Sequence, residues 1–327
     1  MLVCVTGARG FIGRHLVARL QETGGLRLRI LSRTADSHDF PDCQVHRFDL
    51  TKAGESLKSF LEDADVLVHC AGEIRDPSKM EALHVHGTGA LLEAASARRS
   101  ERIKPLRWVQ LSSVSVYGPP SKPGLPRVVS EDAELNPVGE YEQTKAAADR
   151  LILEVGRRGG IAPTIIRPSI VFGADMPNPS LRQLAEVVRR GLFFYIGRRQ
   201  AVATYVHVGD VAEVLEQAVF NERMQNEVYN VSNDCSLEEM IGGMATGAGV
   251  RTPQVRLPEK PLRMLLRLLP GSLTGPLTTE RLNALTSRTT YPCHKLAAHT
   301  GYKPTRPVPE TLTAVVAEWF GLKSQAG

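Results

Sequence analysis

The chain has 327 residues, of which 42% are hydrophobic, 23% charged and 6% aromatic; these proportions exclude a disordered, collagen-like or membrane-embedded polypeptide and leave one large or two unequal globular domains. Lys plus Arg number 40 against 35 Asp plus Glu, a formal charge of +5, scattered in short basic clusters that suit a small phosphorylated ligand as well as nucleic acid and decide neither. The five cysteines (Cys4, Cys43, Cys70, Cys235, Cys293) are widely spaced with no CxxC pair, so no disulfide framework or metal site is implied and the reducing cytosol is the expected compartment.

The first residues read as ordered structure, with no basic stretch or long apolar core of a signal peptide. No run reaches the roughly 20 apolar residues of a membrane span. Leu2–Thr6 reads as a strand and runs directly into TGARGFIG at 6–13, which opens a helical pattern at 12–22. In that setting Gly7 permits a tight turn, Gly10 lets the backbone approach a pyrophosphate, and Gly13 allows close helix–strand packing. The helix start then offers free N–H groups to phosphate. Next comes a strand at 28–32, ending Ser32-Arg33-Thr34. An NAD site usually places Asp or Glu here for the ribose hydroxyl. A guanidinium instead pairs with a 2′-phosphate in a bidentate way. The expected cofactor is therefore NADP(H) in preference to NAD(H), with Arg33 and Arg9 as phosphate contacts; Asp36, close by, argues the other way.

Strands at 45–48, Val66–His69, 108–112 and 164–167 alternate with helical spacing at 56–61, 83–97 and 141–156. Such alternation implies right-handed crossovers and a parallel sheet covered on both faces, and the unbroken apolar run at 66–68 agrees. After Gly173 the rhythm changes. Helices at 180–190 and 208–221 flank a strand at 203–208, and 228–231 reads as one more strand. The Pro/Gly-rich stretch 119–126 is the kind of loop that covers a ligand. The segment LRMLLRLL at 262–269 reads either as a helix packed on a second lobe or as a lid over a greasy substrate.

Tyr141 and Lys145 lie one turn apart on one helix face, and the strand ending Gln110-Leu111-Ser112-Ser113 precedes them. A Ser–Tyr–Lys set suits proton transfer at an alcohol or carbonyl oxygen. Bringing a tyrosine from a pKa near 10 towards 7 requires about 4 kcal/mol, which a lysine ammonium and an oxidised nicotinamide are placed to supply. A serine hydroxyl holds the reacting oxygen meanwhile.

With these motifs in this order, the chain resembles the extended short-chain dehydrogenase/reductase family, also called the NAD-dependent epimerase/dehydratase family, over nearly its whole length. Further matches are HCAG (69–72), GTGALLEAA (87–95), LSSVSVYG (111–118), YEQTK (141–145), IIRPSIVFG (165–173), YVHVGDVA (205–212), VYNVS (228–232) and TGYKP (300–304). The resemblance implies Ser113 as the catalytic hydroxyl, Tyr141 as acid/base, and Lys145 as its pKa-lowering partner and ribose ligand. It implies cofactor contacts from Gly7, Gly10, Phe11, Ile12 and Gly13, from Asp49 and Leu50 at the adenine, from Ala71 and Gly72, and from Pro168 to Ile170 at the nicotinamide. Ser115, Tyr117, Arg198 and Arg199 are candidate substrate contacts. His207 and Asp210 match family positions and read as structural. Dimerisation through the Tyr–x–x–x–Lys helix is a family expectation.

Three departures bear on the substrate. Ala203 stands where members acting on nucleotide sugars commonly carry an arginine for the pyrophosphate. Ile170 stands where many epimerases have Asn. His84 replaces the Asn that usually precedes VxGT, which puts a supporting hydrogen bond in question. The expected architecture is α/β: a doubly wound parallel (Rossmann) sheet over 1–169, rejoined at about 204–231, with a smaller C-terminal substrate lobe from 170–203 and 232–327. The expected activity is hydride transfer at a secondary alcohol or ketone, most readily of a nucleotide-linked sugar, as a 4-ketoreductase or epimerase; the NADP preference tilts this towards reduction. The alternative is reduction of an apolar ketone of hydroxysteroid or dihydroflavonol type, and the third reading is an NADP-sensing binding protein. Nucleic acid is not an expected partner.

Overall fold

The computed structural model describes residues 1–34, 38–52, 57–97, 104–122, 124–268 and 278–322, the side chain of Arg267 excepted. Asp36 therefore lies outside the described residues.

The expected doubly wound α/β sheet is present. Its strands are β1 (Leu2–Thr6), β2 (Arg27–Ser32), β3 (Cys43–Arg47), β4 (Val66–His69), β5 (Leu106–Leu111), β6 (Ile161–Pro168) and β7 (Glu227–Val231). All pair in parallel, in the order β7-β6-β5-β4-β1-β2-β3. The chain builds outward from β1 through β2 and β3, then returns to β4 on the other side. This reversal opens a crevice at the carboxyl ends of β1 and β4, where ligands of open α/β sheets bind.

Strand β1 shows why the sheet is buried on both faces: each of its five residues is buried. Val3 and Val5 join one core cluster, with Leu16 and Leu20 of α1 (Phe11–Thr23). Leu2 and Cys4 join the other, with Trp108, Leu91 and Ile152. Side chains alternate across a strand, so helices must cover both sides. On the second face lie α2 (Thr88–Ser96) and α3 (Glu140–Arg157). The helix expected at 83–97 starts earlier, at Pro77–Glu81, and passes through a π-helical turn at Ala82–Gly87 before α2. The helix expected at 56–61 is a single turn, Lys58–Leu61.

Beyond β6 the strand expected at 203–208 divides. Val202–Ala203 pairs antiparallel with Cys235–Ser236, and Tyr205–His207 pairs parallel with Ile170–Phe172. His207 then caps the next helix, its Nδ1 accepting from the Gly209 N–H at 3.1 Å, so Val208 is helical. Strand β7, rather than this region, rejoins the large sheet. A third core cluster joins α4 (Ser180–Arg189), α5 (Val208–Phe220) being on the first face, with α6 (Leu237–Gly247) and the C-terminal helix Val308–Trp319. Residues 262–268 of the LRMLLRLL motif fall on α7 (Glu259–Leu268); Leu269 lies outside the described residues. Among the described residues no helix is long and apolar enough to cross a membrane.

Candidate active site

The glycine loop takes the shape its sequence demands. Gly7 has a φ of +70°, and a Cβ there would lie 2.5 Å from the Ala71 backbone nitrogen. A Cβ on Gly13 would lie 2.1 Å from the Gly7 carbonyl oxygen. Gly10 is the N-cap of α1; no side chain caps this end and no acidic residue sits in its first turn. Phe11 and Ile12 follow as the first helical residues. The result is an open N-terminus with uncontested N–H groups, a ready seat for phosphate.

Arg9 and Arg33 occupy adjoining turns and are exposed. The Arg9 guanidinium donates to Thr34 Oγ1 at 2.8 Å and lies 4.0 Å from Asp39. Asp49 accepts from the Thr51 N–H at 3.0 Å and the Thr51 hydroxyl at 2.7 Å. Burial works to raise its carboxyl, but those two donors, with Arg33 and Lys52, hold it below the ordinary value. Leu50 is buried and packs beside Gly87.

At the carboxyl ends of β4 and β5 the reacting set assembles. Lys145 is buried, and its ammonium donates to the Leu111 carbonyl at 2.5 Å. Burial lowers its pKa, with the Asp149 carboxylate one turn along opposing the effect. Tyr141 is pushed up to about 12, chiefly by burial; Ser113, close enough to hydrogen-bond it, pulls the other way. Thus the lowered phenol pKa expected from the sequence is not a property of the protein alone: the hydroxyl stays protonated. Ser113 also N-caps the short turn Val114–Tyr117, its Oγ accepting from Ser115 N–H at 3.1 Å. Ser115 Oγ is buried with no hydrogen-bond partner among the described residues.

His84 fills the questioned position fully. Its Nε2 accepts from the Glu73 N–H at 2.9 Å, so Nδ1 carries the proton and donates to Thr144 Oγ1 at 2.8 Å. The Thr144 hydroxyl passes its own proton to the Glu140 carbonyl at 2.8 Å. The imidazole also meets the Tyr141 ring edge-on, centroids 5.7 Å apart. A second chain runs beneath. Thr88 Oγ1 donates to the His84 carbonyl at 2.5 Å, leaving it an acceptor for His69 Nε2 at 3.1 Å, and His69 Nδ1 takes the Thr6 hydroxyl proton at 2.6 Å. Ala71 N–H closes on Thr6 Oγ1 at 3.3 Å. Both histidines are lowered to about 3, first by burial and then by the Lys145 cation. They are neutral struts between the glycine loop and the Tyr–Lys helix.

Pro168 ends β6, and Ile170 is 53% exposed at the start of the next short strand. Arg198 and Arg199 are exposed in the turn after Tyr195–Ile196, with no ion-pair partner among the described residues. Ala203 is buried in the third apolar cluster. Tyr117 is placed otherwise than expected. It is fully buried; its hydroxyl donates to Asn230 Oδ1 at 3.0 Å and accepts from Arg167 at 2.9 Å. This gives it a core role in place of a substrate contact. His207 caps α5, and Asp210 accepts from Thr305 and Arg306, so both are structural here.

Sequence reading passed over one feature of the site. Asp149 and Arg167 form a buried pair, with Arg167 Nε and Nη2 on Asp149 Oδ2 at 3.1 and 3.0 Å and Ser112 Oγ on the same oxygen at 2.8 Å. The available signal was a lone arginine inside the apolar run IIRPS, which a buried strand tolerates only with a carboxylate partner.

The family model described as the NAD dependent epimerase/dehydratase family matches residues 3–232. Among curated proteins, the GDP-6-deoxy-D-mannose reductase of Pseudomonas aeruginosa is 25% identical over 333 residues, spanning 96% of this chain and 96% of that protein. The 3beta-hydroxysteroid-dehydrogenase/decarboxylase isoform 1 of Arabidopsis thaliana is 24% identical, over 98% of this chain and 80% of that one. Among solved structures, the UDP-glucuronic acid 4-epimerase of Bacillus cereus in complex with NAD superposes with a TM-score of 0.73, covering 100% of this chain and 99% of the other at 20% identity. That last likeness is one of fold.

Proposed function

The chain belongs to the NAD dependent epimerase/dehydratase family, and from this membership we propose that it is an NADP(H)-dependent oxidoreductase acting at a secondary alcohol or ketone of a nucleotide-linked sugar, in the direction of ketone reduction. The observation that carries this reading is the meeting of Ser113, Tyr141 and buried Lys145 at the carboxyl ends of β4 and β5, beside the open N-terminus of α1. The loop suits a dinucleotide: only glycine at 7 and 13 lets it pack this tightly on the Ala71 backbone and on the start of α1, and its phosphate end is uncapped. In this reading the backbone of 7–13 takes the pyrophosphate, Arg33 and Arg9 the 2′-phosphate, and Asp49 and Leu50 the adenine. Ala71, Gly72, Pro168 and Ile170 line the nicotinamide end. When bound, the nicotinamide supplies or accepts the hydride.

The rest is work for side chains. Ser113 orients the substrate oxygen, and Tyr141, held protonated by its burial, gives that oxygen a proton as the carbonyl is reduced. Lys145 keeps a positive charge behind Tyr141 to receive the developing phenolate. Ser115 Oγ, buried and without a hydrogen-bond partner among the described residues, is assigned to a substrate hydroxyl, and Arg198 and Arg199 to the substrate phosphates. Residues 1–169 with the return at about 204–231 serve the cofactor; 170–203 and 232–327 serve the substrate. The functional unit in this proposal is a homodimer.

A second reading keeps the chemistry and changes the substrate to an apolar ketone. It is favoured by the exposed Ile170 beside the nicotinamide position and by the buried Ala203. Two measurements decide. Tyr141→Phe abolishes turnover by about 10²-fold or more while NADPH binding stays within a fewfold; an active variant rejects the assignment. Protection against thermal unfolding by UDP, GDP or dTDP supports the sugar-nucleotide substrate, and protection only by steroid-like or phenolic ketones supports the second reading.

A further inference from the structure

Helix α7 turns an apolar stripe outward. On a helix of 3.6 residues per turn, Lys260, Met264 and Leu268 form one row and Pro261 and Leu265 the next. All five are exposed, with Met264 at 65%, Leu265 at 49% and Leu268 at 70%. The inward side is mixed: Leu262 and Leu266 are half-buried there beside Glu259 and Arg263. Arg263 pairs with Glu259 and donates to Asn283 Oδ1 at 2.7 Å and Thr286 Oγ1 at 3.2 Å. A helix that packs on a protein core shows its apolar stripe to the core and its charges to water; here Met264, Leu265 and Leu268 make a second apolar stripe that faces out. Val255 and Leu257, next to and on the short strand Arg256–Leu257 just before it, extend the exposed apolar surface.

Charge and composition select the occupant. Residues 251–268 carry five basic side chains (Arg251, Arg256, Lys260, Arg263, Arg267) and one acidic, Glu259; Arg263 pairs with Glu259 and Arg256 with Glu238, and the segment keeps a basic excess. The exposed stripe contains no aromatic and no arginine, the anchors on which protein–protein contacts rely. An apolar face of Leu and Met edged by Lys is the pattern of a helix lying in a bilayer interface, where the stems of basic side chains reach back to anionic headgroups. We propose that α7, with Val255 and Leu257, docks this protein on the surface of an anionic bilayer. Glu259 adjoins Gly197, which precedes Arg198 and Arg199, and Gly124 of the Pro/Gly-rich loop, so docking holds that side of the protein against the lipid. The inference does not depend on the substrate assigned above.

The test is co-sedimentation of the full chain with vesicles of phosphatidylcholine alone and with phosphatidylglycerol added. The parent is expected to sediment with the anionic vesicles, at least tenfold less with neutral ones, and less as salt is raised. The Leu265→Glu/Leu268→Glu variant, altered only at exposed positions, is expected to keep its thermal stability and NADPH binding and to lose at least tenfold in vesicle binding. Absence of parent binding to anionic vesicles, or equal binding by the variant, overturns the proposal. So does a parent dimer in size-exclusion chromatography that the variant abolishes, since the face would then belong to a second copy of the chain.

Discussion

Arg167→Met isolates the electrostatic keystone behind the site. Asp149 is fully buried and Arg167 is 3% exposed. The substitution removes both guanidinium bonds to Asp149 and the one to Tyr117, leaving the carboxylate Ser112 alone of these partners. Breaking a buried pair from one side costs about 3–5 kcal/mol, whereas replacing both members by apolar groups of similar volume is near neutral. With an unfolding entropy of about 2.1 cal/mol/K per residue, the 327-residue chain should lose about 4–7 °C in Tm. Calorimetry and urea unfolding measure this directly. The Asp149→Leu/Arg167→Met double variant is expected to return to within about 1 kcal/mol of the parent. Its activity should not return with it. The Asp149 carboxylate opposes the burial that lowers Lys145, so without it Lys145 loses its proton at lower pH and the alkaline limb of kcat/KM moves down. A single variant that loses less than about 1 kcal/mol, or a double variant no more stable than the single, refutes the argument.

Acid should destabilise the protein through its neutral histidines. His69 and His84 are lowered from 6.5 to about 3, so between those values the unfolded chain binds protons that the native one does not, and stability falls as pH drops from about 6.5. Each contributes a slope of up to about 1.4 kcal/mol per pH unit. His84→Gln should flatten the measured slope by close to one proton; an unchanged slope would mean that His84 is charged in the fold. For the cofactor, Arg33→Ala should weaken NADPH binding roughly ten- to hundredfold, the worth of hydrogen bonds to a charged group, and leave NADH nearly unaffected; equal losses for both would remove Arg33 from the 2′-phosphate.

Much of this molecule is written within a few residues of chain. The strand–glycine–helix opening, the one-turn spacing of Tyr141 and Lys145, and the apolar runs of β1 and β4 follow from local geometry, since a turn's φ or a helix face is set by near neighbours. Even the apolar character of α7 was visible as LRMLLRLL, though not which of its leucines would be covered. The questioned position at His84 marks the boundary: the replacement was legible, its hydrogen bonds to Glu73 and Thr144 were not.

Tertiary structure decided the remainder. The run at 203–208 had the composition of one strand, but its two ends found different partners, Cys235–Ser236 and Ile170–Phe172, and the His207 cap cut it short. Tyr117, four residues from Ser113, entered the core because Arg167 and Asn230, distant in sequence, satisfy its hydroxyl. Lys145 and Tyr141 owe their shifted pKa values to burial, which depends on every element packed around them. Local pattern determined which chemistry the chain carries; the environment that tunes it arises only when residues tens of positions apart exclude water together.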